Sequence, residues 1–248
     1  ERLLLSDCYV YMNIFMRSTS GNPVIIIWIL TALLLVQCHT EERPPNVVLF
    51  LVDDLGWRDV GCYGSPFYET PNIDALASEG MRFTNAYAAC HVCSPTRASI
   101  LTGKYPARLN LTDWLPGRKD FPFQKLKNAE IHQHLPFEET TLAEALKKQG
   151  YQTGIFGKWH LGDNYPFRPQ DRGFKEVLVH GGGGVGQTPD YWNNDYFDDT
   201  YFHNGEPEKF SGYCTDIWFE NAIRFIENSQ DGPFFCYIAT NAPHSPFH

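Results

Sequence analysis

Cys93 opens the run Cys93-Ser94-Pro95-Thr96-Arg97-Ala98-Ser99-Ile100-Leu101-Thr102-Gly103. Ser94 followed by Pro95 reads as a helix start, a hydroxyl cap and then a proline whose missing N–H is no loss. Gly103 reads as the stop. Cys93 then sits at the positive end of a short helix, where free N–H groups and the helix dipole favour negative charge. Arg97, four residues on, projects from the same side and adds a fixed cation with several donors. A nucleophile or an anion placed there is stabilised twice. A cysteine taken alone equally fits a buried structural residue beside a helix cap.

Other short runs bring complementary chemistry. In Gly157-Lys158-Trp159-His160-Leu161-Gly162 an extended backbone turns Lys158 and His160 to the same side. A cation beside a titratable imidazole suits an anionic substrate and a proton transfer. Asp53-Asp54 closes the apolar run Val47 to Val52. Adjacent carboxylates repel, so the pair makes most sense around a hard divalent cation, the alternative being a solvated loop. His244 lies in Asn241-Ala242-Pro243-His244-Ser245-Pro246, again just after an apolar run, Phe234 to Ala239. The carboxyl ends of buried strands are where open α/β folds place their ligands.

Together these residues resemble the type I sulfatases of the alkaline phosphatase superfamily. Cys93, Pro95, Arg97, Thr102 and Gly103 match that family's C-x-P-x-R-x-x-x-x-T-G signature without a gap. Asp53-Asp54-Leu55-Gly56 is similar to its first metal-binding motif, Gly157 to Gly162 to its G-K-W-H-x-G motif, and Pro243-His244-Ser245-Pro246 to its P-H-x-P motif. Thr70-Pro71-Asn72-Ile73-Asp74-Ala75-Leu76-Ala77 matches a further common pattern whose role there is architectural.

The resemblance implies a sulfuric ester hydrolase in which Cys93 is oxidised to formylglycine by a maturation enzyme, the hydrated aldehyde being the nucleophile. It implies Ca2+, or Mg2+, held in part by Asp53, Asp54 and position 93. Arg97 and Lys158 then hold the hydrate and the sulfate, His160 serves as base, and His244 assists the leaving group. The remaining metal ligands and a second sulfate-binding lysine belong to a later part of the family's sequence. The resemblance covers residues 46–248 and the N-terminal half of the family's fold, so the sequence reads as a piece of a longer enzyme. Weak metal binding and little activity are expected of this piece alone.

The elements that must position these groups are legible at low resolution. Strands read at 47–52, 151–157 and 234–239, the first and last of them continuous apolar runs, alternate with helical patterns. This predicts a doubly wound α/β fold, a mostly parallel sheet with helices on both faces, incomplete at its C-terminus. The first of these runs reads as a strand buried on both faces. Thr70-Pro71 opens a helix with Ile73, Leu76 and Ala77 on one face, ending at Gly80, and Met81 to Tyr87 reads as a strand. Thr141-Leu142-Ala143-Glu144 is a capping box for a helix reaching Gly150, and Cys214 to Asn228 is an amphipathic helix. Residues 105–139 read as loop with surface histidines at 132 and 134. The run His180 to Gly186 reads as neither helix nor strand but a loop, with anion cradling the alternative. Tyr191 to Asp199 mixes aromatics and acids, which suits sugar or calcium and equally a hairpin rim turning at Asn204-Gly205.

The chain has 248 residues, 43% hydrophobic, enough for a sizeable core, and a net charge of −9. An acidic balance argues against nucleic acid as partner but leaves room for a local basic pocket. Seven dispersed cysteines do not make a disulfide scaffold. Residues 1–15 read as upstream translation. Residues 16–38 read as a signal peptide or lipoprotein signal around the apolar run 24–36, and 39–45 as a linker. Export follows, to a periplasmic, extracellular or lipid-anchored place, with Cys38 the candidate for lipid attachment and any membrane contact made only through that signal or anchor.

Three other functions remain open at this level. A phosphonate or phosphate ester hydrolase would share the metal and nucleophile. A non-catalytic sulfated-glycan binder would keep the pocket. Cys90 and Cys93, spaced C-x-x-C, would serve a thiol–disulfide exchanger. The substrate expected of the hydrolase is a sulfated small molecule or polysaccharide.

Overall fold

A computed structural model describes residues 43–247; the proposed leader and Cys38 lie outside them. The strands are β1 (Val47–Val52), β2 (Gln152–Lys158), β3 (Glu176–His180), β4 (Thr200–His203), β5 (Glu206–Lys209) and β6 (Phe234–Thr240). They form one sheet in the order β1-β6-β2-β3-β4-β5. β1, β6, β2 and β3 run parallel, and the β4–β5 hairpin closes the far edge antiparallel. The hairpin turns at Asn204-Gly205, both at positive φ (52° and 96°), the conformation an Asn-Gly turn favours. Among the described residues four α-helices accompany the sheet: α1 (Pro71–Glu79), α2 (Cys93–Thr102), α3 (Leu142–Lys148) and α4 (Cys214–Asn228). This is the mostly parallel α/β architecture expected. Among the described residues no helix is long and apolar enough to cross a membrane.

Alternation along the strands builds a core on each face. Ile155, Val177, Val179, Phe235 and Tyr237 pack with Ala98 and Leu101 of α2 and Ala143 of α3. Phe156, Leu178, Phe234, Cys236 and Ile238 pack with Ile217, Trp218 and Ala222 of α4. β6 is buried at every position because it has strands on both sides and helices on both faces. α3 carries the expected capping box, with Thr141 Oγ1 accepting from the Glu144 N–H and the Glu144 carboxylate from the Thr141 N–H.

Four expectations are corrected. β1 is an edge strand of the described sheet, and its second face is open, with Val48 52% and Phe50 46% exposed. A continuous apolar run does not distinguish an edge from a centre. α1 begins and ends as expected, but its apolar face is not buried, Leu76 being 71% exposed. Met81 to Tyr87 forms no strand; it is irregular and exposed. The start of α2 is displaced: Val92 is the N-cap, Cys93 is the first helical residue, and Ser94 makes no cap.

Candidate active site

Four parallel strands end side by side, and the register aligns Val52 with Thr240, Gly157 with Ala239, and Lys158 with His180. β6 lies between β1 and β2, so their carboxyl ends flank a switch point of the kind that holds ligands in open α/β sheets. Close approach is needed there. Gly157 has φ +112°, and a Cβ on it would lie 2.1 Å from the Ala239 carbonyl oxygen.

Asp53 leaves β1 into this crevice, 6% exposed. Its Oδ2 accepts from Lys158 Nζ at 2.6 Å and its Oδ1 lies 3.2 Å from Arg97 Nη2. Lys158 and Arg97 are 0% and 1% exposed, and Arg97 Nη1 donates to the Lys158 carbonyl at 2.6 Å. Burial opposes the Asp53 charge, but the two cations outweigh it and hold the carboxyl below the usual carboxylate range. Neither Nε nor Nη2 of Arg97 makes a well-aligned hydrogen bond among the described residues. Two cations against one anion, with donor capacity to spare, suit an incoming oxyanion.

Cys93 and His244 meet this cluster. One ligating atom each from Asp53, Cys93 and His244 lie within 4.8 Å of one another. Asp54 turns outward in a left-handed backbone (φ 59°), 53% of its side chain exposed, with Oδ2 3.6 Å from His244 Nε2. Asp54, Cys93, His160 and His244 line one cleft of about 300 Å³, together with His91, Trp114, Leu115, Gly183 and Gln187. Among the described residues Asp53, Cys93 and His244 thus fit part of a divalent-cation site, which Asp54 approaches only through its contact with His244; a full calcium shell takes six to eight oxygen ligands. A cation on Asp53 would compete with Lys158 for the same oxygen.

His160 reaches the site by a different route from the one expected. β2 ends at Lys158, and His160 sits beyond it with φ 54°, so the two side chains are not partners on one strand face. Both are nonetheless buried at the site. His160 Nε2 lies 2.8 Å from the Leu115 carbonyl, its Nδ1 has no hydrogen-bond partner among the described residues, and Gly183 packs flat against its ring. Burial, with Lys158 adding to it, lowers its pKa from the ordinary 6.5 to about 3.

Sequence reasoning missed a neighbouring network. Trp218 Nε1 donates to Asn241 Oδ1 (3.3 Å), Asn241 Nδ2 to His180 Nε2 (2.7 Å), and His180 Nδ1 to the Gly181 carbonyl (2.7 Å). His180 is neutral, its pKa lowered to about 3 chiefly by burial. His180 and Asn241 end β3 and follow β6, the strand-end position that identified Lys158 and His244, and that signal would have found them. His180, read with the glycine run as loop, instead ends β3, and three of the run's N–H groups are already claimed by carboxylates. Asp190 accepts from Gly181 and Gly186 N–H and Asp163 from Gly182 N–H, which leaves the loop as a wall. Asp198 and Asp199 likewise accept from nearby N–H and hydroxyl groups and hold a loop rather than calcium. His134 rests on Phe167, and neither it nor His132 lines the cleft. Cys90 and Cys93 are free thiols, and no disulfide joins them.

These pKa shifts set the acid sensitivity of the fold. Between about pH 6.5 and 3 the unfolded chain takes protons that folded His160 and His180 refuse, so stability falls with pH. The loss is about 1.4 kcal/mol per pH unit for each histidine. The Asp53 contribution is complete above the ordinary value of 3.8 and is lost only as pH falls through its lower folded value. For His203 burial pulls the pKa down but Glu176 and Glu208 raise it on balance, so its contribution is full below pH 6.5 and is lost as pH rises through the folded value. The urea midpoint is therefore expected to drop clearly from pH 6.5 to pH 5, and an unchanged midpoint would contradict two buried neutral imidazoles.

The chain is similar to known proteins over most of its length. A sulfatase family model matches residues 45–248. The N-acetylgalactosamine-6-sulfatase of Rattus norvegicus is 37% identical over 232 residues, 88% of this chain and 43% of the relative. Among solved structures, Ps i-CgsB in complex with k-i-k-neocarrahexaose superposes with a TM-score of 0.69 at 33% identity, covering 82% of this chain and 46% of that one. BT4656, in complex with its substrate D-glucosamine-2-N,6-O-disulfate, gives a TM-score of 0.63 at 31% identity, covering 81% and 35%. The chain thus spans less than half the length of these proteins. On its matched family model and its alkaline phosphatase-like α/β fold, the chain belongs to the sulfatase family.

Proposed function

We propose that the protein hydrolyses sulfate esters of glycans, with Cys93, converted to formylglycine, as the nucleophilic position. The observation that carries this reading is the meeting of Cys93, His160 and His244 at one cleft, from separate elements, with the buried Asp53–Lys158–Arg97 cluster reaching Cys93 and His244 through Asp53. Relatives named for sulfated sugars, and neighbours solved with a neocarrahexaose or a disulfated glucosamine, support a glycan as the alcohol. The aromatic and acidic stretch 191–199 does not contribute, because its buried carboxylate is occupied within its own loop.

In this reading Arg97 and Lys158 bind and orient the sulfate, and the low-dielectric setting strengthens both contacts. His160 accepts a proton from the attacking hydroxyl, and His244 places a proton donor near the departing alcohol oxygen. Asp53 and Asp54, with position 93, would hold a Ca2+ or Mg2+ whose chemistry is to draw charge from the sulfate oxygens. Position 93 at the N-terminus of α2 gains from the helix dipole as negative charge gathers there. Export of the protein, and its meeting with a maturation enzyme, rest on the apolar run 24–36.

Turnover of paired aryl esters tests the reaction class. A chain extended to the length of its relatives, co-expressed with a formylglycine-generating enzyme, is expected to cleave the aryl sulfate with kcat/KM at least about a hundredfold above that for the matching phosphate. A preference for the phosphate would assign it to the phosphoryl branch of the superfamily. Tight binding of the sulfate ester without turnover would mark a binder.

A further inference from the structure

We propose that Ser94 is a positioning residue for His160, acting through the Leu115 peptide to fix which imidazole nitrogen carries the proton. The inference rests on the reading of His160 as a base. Ser94 is fully buried, and its hydroxyl does not serve its own helix. Its Oγ accepts the Leu115 N–H at 3.1 Å. On the other side of the same residue, the Leu115 carbonyl stands 2.8 Å from His160 Nε2. The Leu115 backbone is thus held from one end by the helix that carries Cys93, and holds the imidazole with the other.

A carbonyl oxygen only accepts, so the nitrogen facing it must donate. Neutral His160 is therefore the Nε2–H tautomer, and its Nδ1 bears the lone pair. That Nδ1 is buried with no partner among the described residues, a condition that asks for an explanation in a native site. The ring is also held against rotation. A Cβ on Gly183 would lie 2.7 Å from His160 Cε1 and 2.8 Å from Nε2, so nothing larger than glycine lets the loop lie against it. The backbone conformation of His160, φ 54°, adds a further fixed constraint. A base limited to one basic nitrogen, aimed by the element that bears the nucleophile, keeps the two groups in register.

The test reads the tautomer directly. Long-range 15N–1H spectra of the 15N-labelled protein at neutral pH are expected to show His160 protonated at Nε2 alone. Ser94→Ala frees the Leu115 peptide and is expected to give a mixture of tautomers, while Ser94→Thr, which keeps the hydroxyl, restores the single form. In protein with equal conversion at position 93, checked by mass spectrometry, Ser94→Ala is expected to lower kcat about tenfold with KM little changed. A single Nε2–H form in Ser94→Ala, or Nδ1–H in the parent, overturns the proposal. Should Ser94→Ala unfold, Ser94→Thr and Ser94→Cys, compared at the same two nitrogens, still rank the hydroxyl against a weak acceptor, and equal spectra overturn the proposal. A shifted tautomer in a protein without turnover leaves the positioning intact and removes the hydrolase reading instead.

Discussion

Replacing Cys93 by alanine is expected to lower sulfate ester turnover by roughly four to six orders of magnitude, the usual consequence of deleting a covalent nucleophile. Stability should barely change. Cys93 is half-buried at the first position of α2, makes no disulfide, and leaves the contacts of Arg97 and Ser94 in place. Its removal is therefore expected to shift unfolding by no more than about 1 kcal/mol. The pairing of these outcomes is what discriminates. A Cys93→Ala protein retaining more than about a hundredth of parental kcat/KM would show that the nucleophile lies elsewhere. A large loss of stability would return Cys93 to the structural role that its residue type alone allows.

Asp53→Ala is expected to produce the largest loss of stability. The substitution strands Lys158 and Arg97, both essentially inaccessible to water, without their shared counter-charge. Breaking a buried ion pair from one side costs about 3–5 kcal/mol, because the unpaired charge remains desolvated. Asp53→Asn keeps the shape and should fare little better. The double replacement Asp53→Ala with Lys158→Met removes charge from both sides and should recover part of the loss. Urea unfolding in metal-free buffer measures all three. A double variant less stable than the sum of its singles would contradict a coupled pair.

Much of this was legible in the sequence because it is local. The capping box at Thr141 and Glu144, the stop at Gly103, the Asn204-Gly205 turn and the amphipathic α4 each depend on a few adjacent residues. The strand-end residues Asp53, Lys158 and His244 were also readable, since apolar runs mark where parallel strands stop. What escaped depends on long-range placement. Whether β1 lies at an edge is decided by which strands join it, and the run 47–52 is apolar in either case. Ser94 has the residue type of a cap, but its hydroxyl is claimed by Leu115, 21 residues away in sequence. Lys158 and His160 do reach one site, though through a left-handed turn that a period of two cannot reveal. The glycine run 181–184 carries no sign that Asp190 and Asp163 take its N–H groups, or that Gly183 meets an imidazole.

The arrangement also explains why charged groups are buried here at all. Lys158 and Arg97 would be costly in a core, and Asp53 compensates only one of the two charges. The excess is tolerable where an anion is to be bound, and Arg97 Nε and His160 Nδ1, both without a hydrogen bond among the described residues, mark the same region as built for a ligand.

The state of residue 93 in catalytically competent protein is the most direct test. Mass spectrometry of the peptide containing Cys93, isolated from protein that turns over a sulfate ester, is expected to find the thiol replaced by an aldehyde, with activity rising in proportion to the converted fraction. An intact cysteine in fully active protein would contradict the account.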